Sequence, residues 1–299
     1  MKNMNNILYQ LILLFGLMAI GLIAKKSKIL DEDSDRSISR LIVNITIPAT
    51  IISSSIGQNI ENIMPVIVVF FLAVVTFIIT PLLSIIFVKN LKMDKTYKLM
   101  LNYSNLGFMG IPIVSSIYGD KAVFYVSIFM MVFNISLFSY GISILQESKV
   151  RWSFKKMMNP GIVSAIIALG IFMFEIPVAT PIENLITSIG NITTPLAMLV
   201  IGSTIADVKI MEVLKDKMIY IYTILKLVIY PSVIWGILQF FIQDSMMLGI
   251  AVILSGLPAA GNVSMLCMEY NGNVKLVTEG IFMSTICSIV TLPILMLLF

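Results

Sequence analysis

Apolar residues run along this chain from Ile7 to Phe299 in blocks of about 20, each closed by a short cluster of polar or charged positions. Blocks such as MPVIVVFFLAVVTFIITPLLSIIFV, from Met64 to Val88, have neither the polar face of a surface helix nor the alternation of a strand. Helices crossing a bilayer fit this pattern, and the ruler predicts ten spans, at 7–24, 36–57, 63–88, 97–118, 121–145, 160–176, 183–205, 217–241, 246–269 and 275–298. The first could be read as a signal peptide, but its run ends at GLIAKKSK without a small-x-small site and nine further spans follow. The expected fold class is therefore an all-α integral membrane protein.

Composition agrees with the pattern. Hydrophobic residues make up 58% of the chain and charged residues 12%, against about 25% charged in soluble domains. The mean hydropathy is +0.99. Cys267 and Cys287 fall inside spans, where they act as small apolar residues and carry no disulfide argument.

Charge adds an orientation. Lys and Arg crowd alternate loops: Lys25, Lys26, Lys28, Arg36 and Arg40; Lys89, Lys92, Lys95 and Lys98; Lys149, Arg151, Lys155 and Lys156; Lys209, Lys215 and Lys217; and Lys275. The other side holds Lys2 and Lys121, and the loops near Glu61, Glu175 and Asp244 hold no basic residue. The positive-inside rule makes the crowded loops cytoplasmic and both termini extracytoplasmic in a multi-pass protein of the cell membrane. The net charge of +4 then reports topology, and no nucleic-acid partner is expected.

Two short patterns recur five spans apart. Asn44 to Ile56 reads NITIPATIISSSI and Asn191 to Ile205 reads NITTPLAMLVIGSTI, while Ile128-Phe129-Met130 matches Ile281-Phe282-Met283. These matches divide the chain into a first five-helix repeat, 1–147, a cytoplasmic linker, 148–159, and a second repeat, 160–299. Five spans per half force the second half to enter the membrane from the opposite side, so the repeat is inverted. Inverted repeats typify secondary transporters, which bind substrate near the midplane; duplication without transport is the plainer reading. Pro48 and Pro195, with Asn44 and Asn191, mark repeat-related breaks, and kinking is the preferred reading of the two prolines.

The fourth span interrupts itself with NYSNLGFMGIPIVSSIYG, Asn102 to Gly119, and the ninth with SGLPAAGNVS, Ser255 to Ser264. Asn105, Gly107, Gly110 and Pro112 in one, and Pro258, Gly261 and Asn262 in the other, disfavour continuous helix at membrane depth. Such backbone survives only where protein buries it or water lines it. Two half-helix N-termini brought together would favour an anion, with the Asn105 and Asn262 amides orienting a carboxylate. Each Asn can equally be interhelical glue, and each Gly a close-packing position. Lys226, well inside the eighth span, has three readings: countering an anion, pairing with Glu279, or snorkelling. Glu279 itself is four residues past Lys275 and fits an interfacial place.

Missing chemistry narrows the classes. The chain has no His, which removes His-based metal hydrolysis, Ser-His proteolysis and histidine proton relays. No acidic pair occupies a span centre and no Gly-Lys-Ser/Thr phosphate loop is present. No enzyme activity, metal site or cofactor is expected; a coupling ion, sodium or proton, is left open. A secondary carrier, an anion-binding receptor and a channel all remain compatible with these residues.

NLGFMGIP in the fourth span, LPAAGN leading to EYNGN in the ninth and KLVIYP in the eighth resemble the auxin efflux carrier family, which includes plant auxin exporters and bacterial permeases of malonate-like anions. The resemblance covers the whole chain. It implies a fold similar to that of bile-acid symporters and sodium-proton antiporters, with crossing broken helices in spans four and nine. It also implies a scaffold from helices 1, 2, 6 and 7, a transport domain from helices 3–5 and 8–10, elevator-type movement and a homodimer. The family's substrate-contacting Asn matches Asn105, and its basic residue ahead of a proline in the eighth span matches Lys226. The short linker and the lack of a second proline in the ninth-span break depart from the plant pattern and favour a small carboxylate over auxin.

Overall fold

The structure, a computed structural model, describes residues 2–57, 63–145, 159–206 and 210–296. Linker residues 148–158, Glu61 and Lys209 lie outside the described residues. Those described are helical throughout and contain no strand, only one isolated β-bridge, between Ser104 and Ala259. Five helices are long and apolar enough to cross a membrane: Met64–Asn90, Ala122–Leu145, Thr180–Ala206, Lys217–Leu238 and Val274–Leu295. Shorter apolar helices cover Leu106–Tyr118, Pro160–Met173 and Ser245–Ser255. Exposed side chains on Met64–Asn90 include Phe70, Phe71, Ile78 and Leu82, as lipid-facing positions require.

Four helices widen into a π turn, at Ile42–Thr46, Leu106–Gly110, Leu137–Gly141 and Leu225–Ile229. Three of these are followed at once by a helix with a proline in its first turn: Pro48, Pro112 and Pro231. A proline ring collides with the carbonyl four residues earlier, and the wider turn moves that carbonyl aside. Asn44 and Pro48 therefore sit in a widened helix that continues, not in a break. At the matching position Asn191 ends one helix, Ile192 forms a turn, and Pro195 stands in the first turn of Thr193–Ala206.

Contacts divide the chain into two compact units. The first comprises Met1–Val69, Gly107–Met131 and Met157–Asp207. In it Lys2–Lys26 lies along Thr193–Ala206 at backbone contact, because neither partner has a side chain where they meet. A Cβ on Gly21 would fall 2.1 Å from the Leu199 carbonyl oxygen, and one on Gly202 would fall 1.8 Å from that of Met18. The Thr50 hydroxyl joins Ile47–Ser53 to the helices on either side of the Ile192 turn, lying 2.8 Å from the Thr193 hydroxyl and 3.1 Å from the Gly190 carbonyl. Near the chain's first turn Lys25 pairs with Asp35 at 2.8 Å, and Ser203 donates to the same carboxylate oxygen at 2.8 Å.

The second unit comprises Phe70–Leu106, Val132–Lys156 and Val208–Phe299. Its core holds Tyr103, which stacks on Phe77, meets Phe133 edge-on at 5.5 Å and donates its hydroxyl to the Ser136 carbonyl at 2.9 Å. Val274–Met296 packs against Lys217–Ile224 and Thr96–Asn102, with Gly280 leaving room for Met100. Both interrupted segments meet in this unit.

Candidate functional site

The site begins with two helices that stop in mid-course. Thr96–Asn102 ends at Tyr103, which is extended, and helical backbone resumes at Leu106. Ser245–Ser255 ends at Gly256, and Gly261–Glu269 starts five residues later after an extended Ala260. In a continuous helix each N–H would serve the carbonyl four residues back. Here the Asn105 N–H turns away from Leu101 and donates to the Pro258 carbonyl at 2.8 Å, while the Ala260 N–H donates to the Tyr103 carbonyl at 2.9 Å. Each break thus satisfies the other's backbone, the pairing registered as the Ser104 to Ala259 bridge. Left unpaired in hydrocarbon, these groups would cost several kcal/mol each.

Diverting the Asn105 N–H frees the Leu101 carbonyl, and side chains bond this carbonyl and that of Ser255, at the end of the other half-helix. Lys226, 1% exposed and carried on the Leu225–Ile229 π turn, donates to the Leu101 carbonyl at 2.8 Å and to the Ser104 hydroxyl at 2.8 Å. Ser104 in turn donates to the Ser255 carbonyl, at 3.4 Å. The lysine also stands 5.9 Å from the Tyr230 ring centroid, a second neutral partner that favours a cation. One ammonium and one hydroxyl therefore cap the C-terminal ends of both half-helices, where the helix dipole is negative.

Of the residues singled out in the sequence, Asn105, Pro258, Gly261 and Asn262 belong to this crossing. Asn105 is half-buried and Pro258 buried; Gly261 and Asn262 are exposed and open the second half-helix, which has no side-chain cap. Gly107, Gly110 and Pro112 do not form the break. They lie past it, in the π turn and the first turn of Ile111–Tyr118, because the wide turn accommodates Pro112 without unwinding the chain. Gly107 faces Ile47 in the first unit, where a Cβ would come within 3.1 Å of its methyl, a packing role. Lys226 and Glu279 are not partners: Glu279 pairs with Lys275 at 3.7 Å, an i,i+4 contact on one helix face. Snorkelling also fails for Lys226, which is buried on neutral oxygens.

Sequence reasoning missed Ser104 and Asn102. Asn102 ends the Thr96–Asn102 half-helix, is 3% exposed, and neither its amide oxygen nor its nitrogen has a hydrogen-bond partner in the structure. The signal is present in NYSN, a polar run inside an apolar span.

A family model described as membrane transport protein matches residues 6–154 and 145–296. The chain belongs to this family, the auxin efflux carriers. It is also similar to an uncharacterized transporter of Methanothermobacter thermautotrophicus, with 23% identity over 287 residues that cover 93% of each chain. Membership makes it a multi-pass membrane transport protein.

Proposed function

We propose that this auxin efflux carrier relative is a secondary transporter of a small organic anion, a carboxylate of the auxin or malonate kind. The observation that carries the reading is the mutual pairing of the Tyr103–Asn105 and Gly256–Ala260 breaks beside a buried lysine that pairs with no carboxylate among the described residues. Secondary carriers use discontinuous helices whose N-terminal ends favour anionic groups. Here the uncapped start of Gly261–Glu269 presents such an end, with Asn262 exposed upon it and Asn105 beside the crossing. The proposal includes ten spans in two inverted halves, 1–147 and 160–299, with both termini outside the cell. A scaffold of spans 1, 2, 6 and 7 supports a homodimer, and spans 3–5 and 8–10 move as an elevator.

Counterflow in proteoliposomes with a panel of labelled mono- and dicarboxylates tests this. The native chain is expected to exchange at least one of them saturably, with Asn105→Ala lowering flux about tenfold or more while the melting temperature holds. Saturable binding without flux would replace the carrier with a receptor. Single-channel currents in planar bilayers would replace it with a channel.

A further inference from the structure

Lys226 is held by a backbone carbonyl and a hydroxyl, the kind of oxygens that a small cation takes as ligands. We propose that the Lys226 ammonium is a tethered counter-cation for the crossing, standing where a monovalent metal ion would otherwise sit, so that the site works without bound Na+.

The argument starts from the backbone. Diverting the Asn105 N–H to Pro258 leaves the Leu101 carbonyl free at the negative end of a half-helix. In discontinuous membrane helices such carbonyls, with nearby hydroxyls, are the ligands that hold a coupling cation. In this chain those oxygens are already taken. Lys226 Nζ lies 2.8 Å from both the Leu101 carbonyl and the Ser104 hydroxyl, and Ser104 relays the contact to the Ser255 carbonyl on the other half-helix. A positive charge with three donors thus serves the oxygen set that a small cation would need.

The lysine's partners reinforce this. They are a carbonyl, a hydroxyl and an aromatic face, and among the described residues no carboxylate pairs with it. A lysine placed for structure alone would be expected to share its burial with an acid, as Lys25 does with Asp35. Lys226 is part of the chain, on the Leu225–Ile229 π turn, so the group travels with the crossing and has no dissociation step. The amino group is thus fixed at the crossing by covalent attachment, whatever the external sodium concentration.

The flux consequence rests on the transport reading above; the cation claim can be tested without it. Native chain, Lys226→Gln and Lys226→Arg are compared in Na+ and in choline, by melting in detergent and by carboxylate counterflow. The native chain is expected to melt and transport equally in Na+ and in choline, and Lys226→Arg to show the same indifference to salt whatever its own flux and melting temperature. Lys226→Gln is expected to lose about tenfold in choline flux and to gain melting temperature from Na+ that the native chain does not gain. A native chain stabilised by Na+, or one whose flux falls about tenfold when choline replaces Na+, overturns the proposal. So does a Lys226→Gln protein with native flux and melting in choline. If Lys226→Gln does not fold, the sodium response of the native chain and Lys226→Arg decides the matter. Absence of flux from the native chain in every salt removes the transport reading, while the melting comparison still judges this one.

Discussion

Lys25 and Lys226 are both withdrawn from solvent, one in each unit, and they are balanced in opposite ways. Lys25 meets a carboxylate at 2.8 Å, with both side chains 9% exposed, and Ser203 bonds the same oxygen. Lys226 meets only neutral oxygens and a ring. A closed pair has no charge left for a solute; it ties Lys2–Lys26 to Glu32–Leu41 and to Thr193–Ala206. The open one places an amino group with no acid partner among the described residues where two helices have been unwound. The same residue type is thus buried against an acid in one unit and against neutral groups in the other.

The strongest way to break that contrast is to open the closed pair. Asp35→Ala leaves Lys25 buried without its acid and is expected to cost about 3–5 kcal/mol of stability, while Asp35→Ala with Lys25→Met recovers most of it. Unfolding in detergent against denaturant measures both. If the single variant costs no more than the double, the pair is not closed in the sense argued here.

The next test removes the close approach that the pair sits beside. Gly202→Ala puts a methyl against the Met18 backbone and is expected to destabilise by about 1–3 kcal/mol without changing the ratio of flux in Na+ to flux in choline. A smaller loss, about 1 kcal/mol, is expected for Thr50→Val, which deletes hydroxyl contacts to Thr193 and Gly190. Melting temperature reads both variants.

The smallest effect belongs to a charge at the surface. Asp31 caps Glu32–Leu41 by accepting from the Ser34 N–H at 2.7 Å and from the Ser34 hydroxyl, and those bonds hold its carboxyl below the ordinary carboxylate range. A group whose acidity is raised by folding stabilises the fold when ionised. The contribution is therefore present above about pH 4 and lost as pH falls through the lowered value. Melting of native chain and Asp31→Ala between acidic and neutral pH is expected to converge at the acidic end.

Much of this was legible in the sequence where the signal is local. Apolar blocks located the helices, and SGLPAAGNVS bracketed the break now seen at Gly256–Ala260. The fourth-span break lies earlier than expected, at Tyr103–Asn105, because glycine and proline report intrinsic helix cost while the actual interruption is set by hydrogen bonds to residues about 150 positions away. Lys226 was visible as a charge, yet its partners at Leu101 and Ser104 are more than a hundred residues distant and left no local pattern. In the sequence Asp35 is one acid of the run DEDSD; only the fold brings Ser203 to it.

The π turns have a consequence for reading helices of this kind. One additional residue in a turn advances every side chain beyond it by about 100° around the axis. A helical wheel drawn at constant pitch through Leu225–Ile229 therefore assigns the residues from Tyr230 onward to the wrong face. Restoring regular pitch there by deleting one residue would swing Lys226 and Tyr230 out of phase with each other, changing which face of the helix carries the charge without altering its composition.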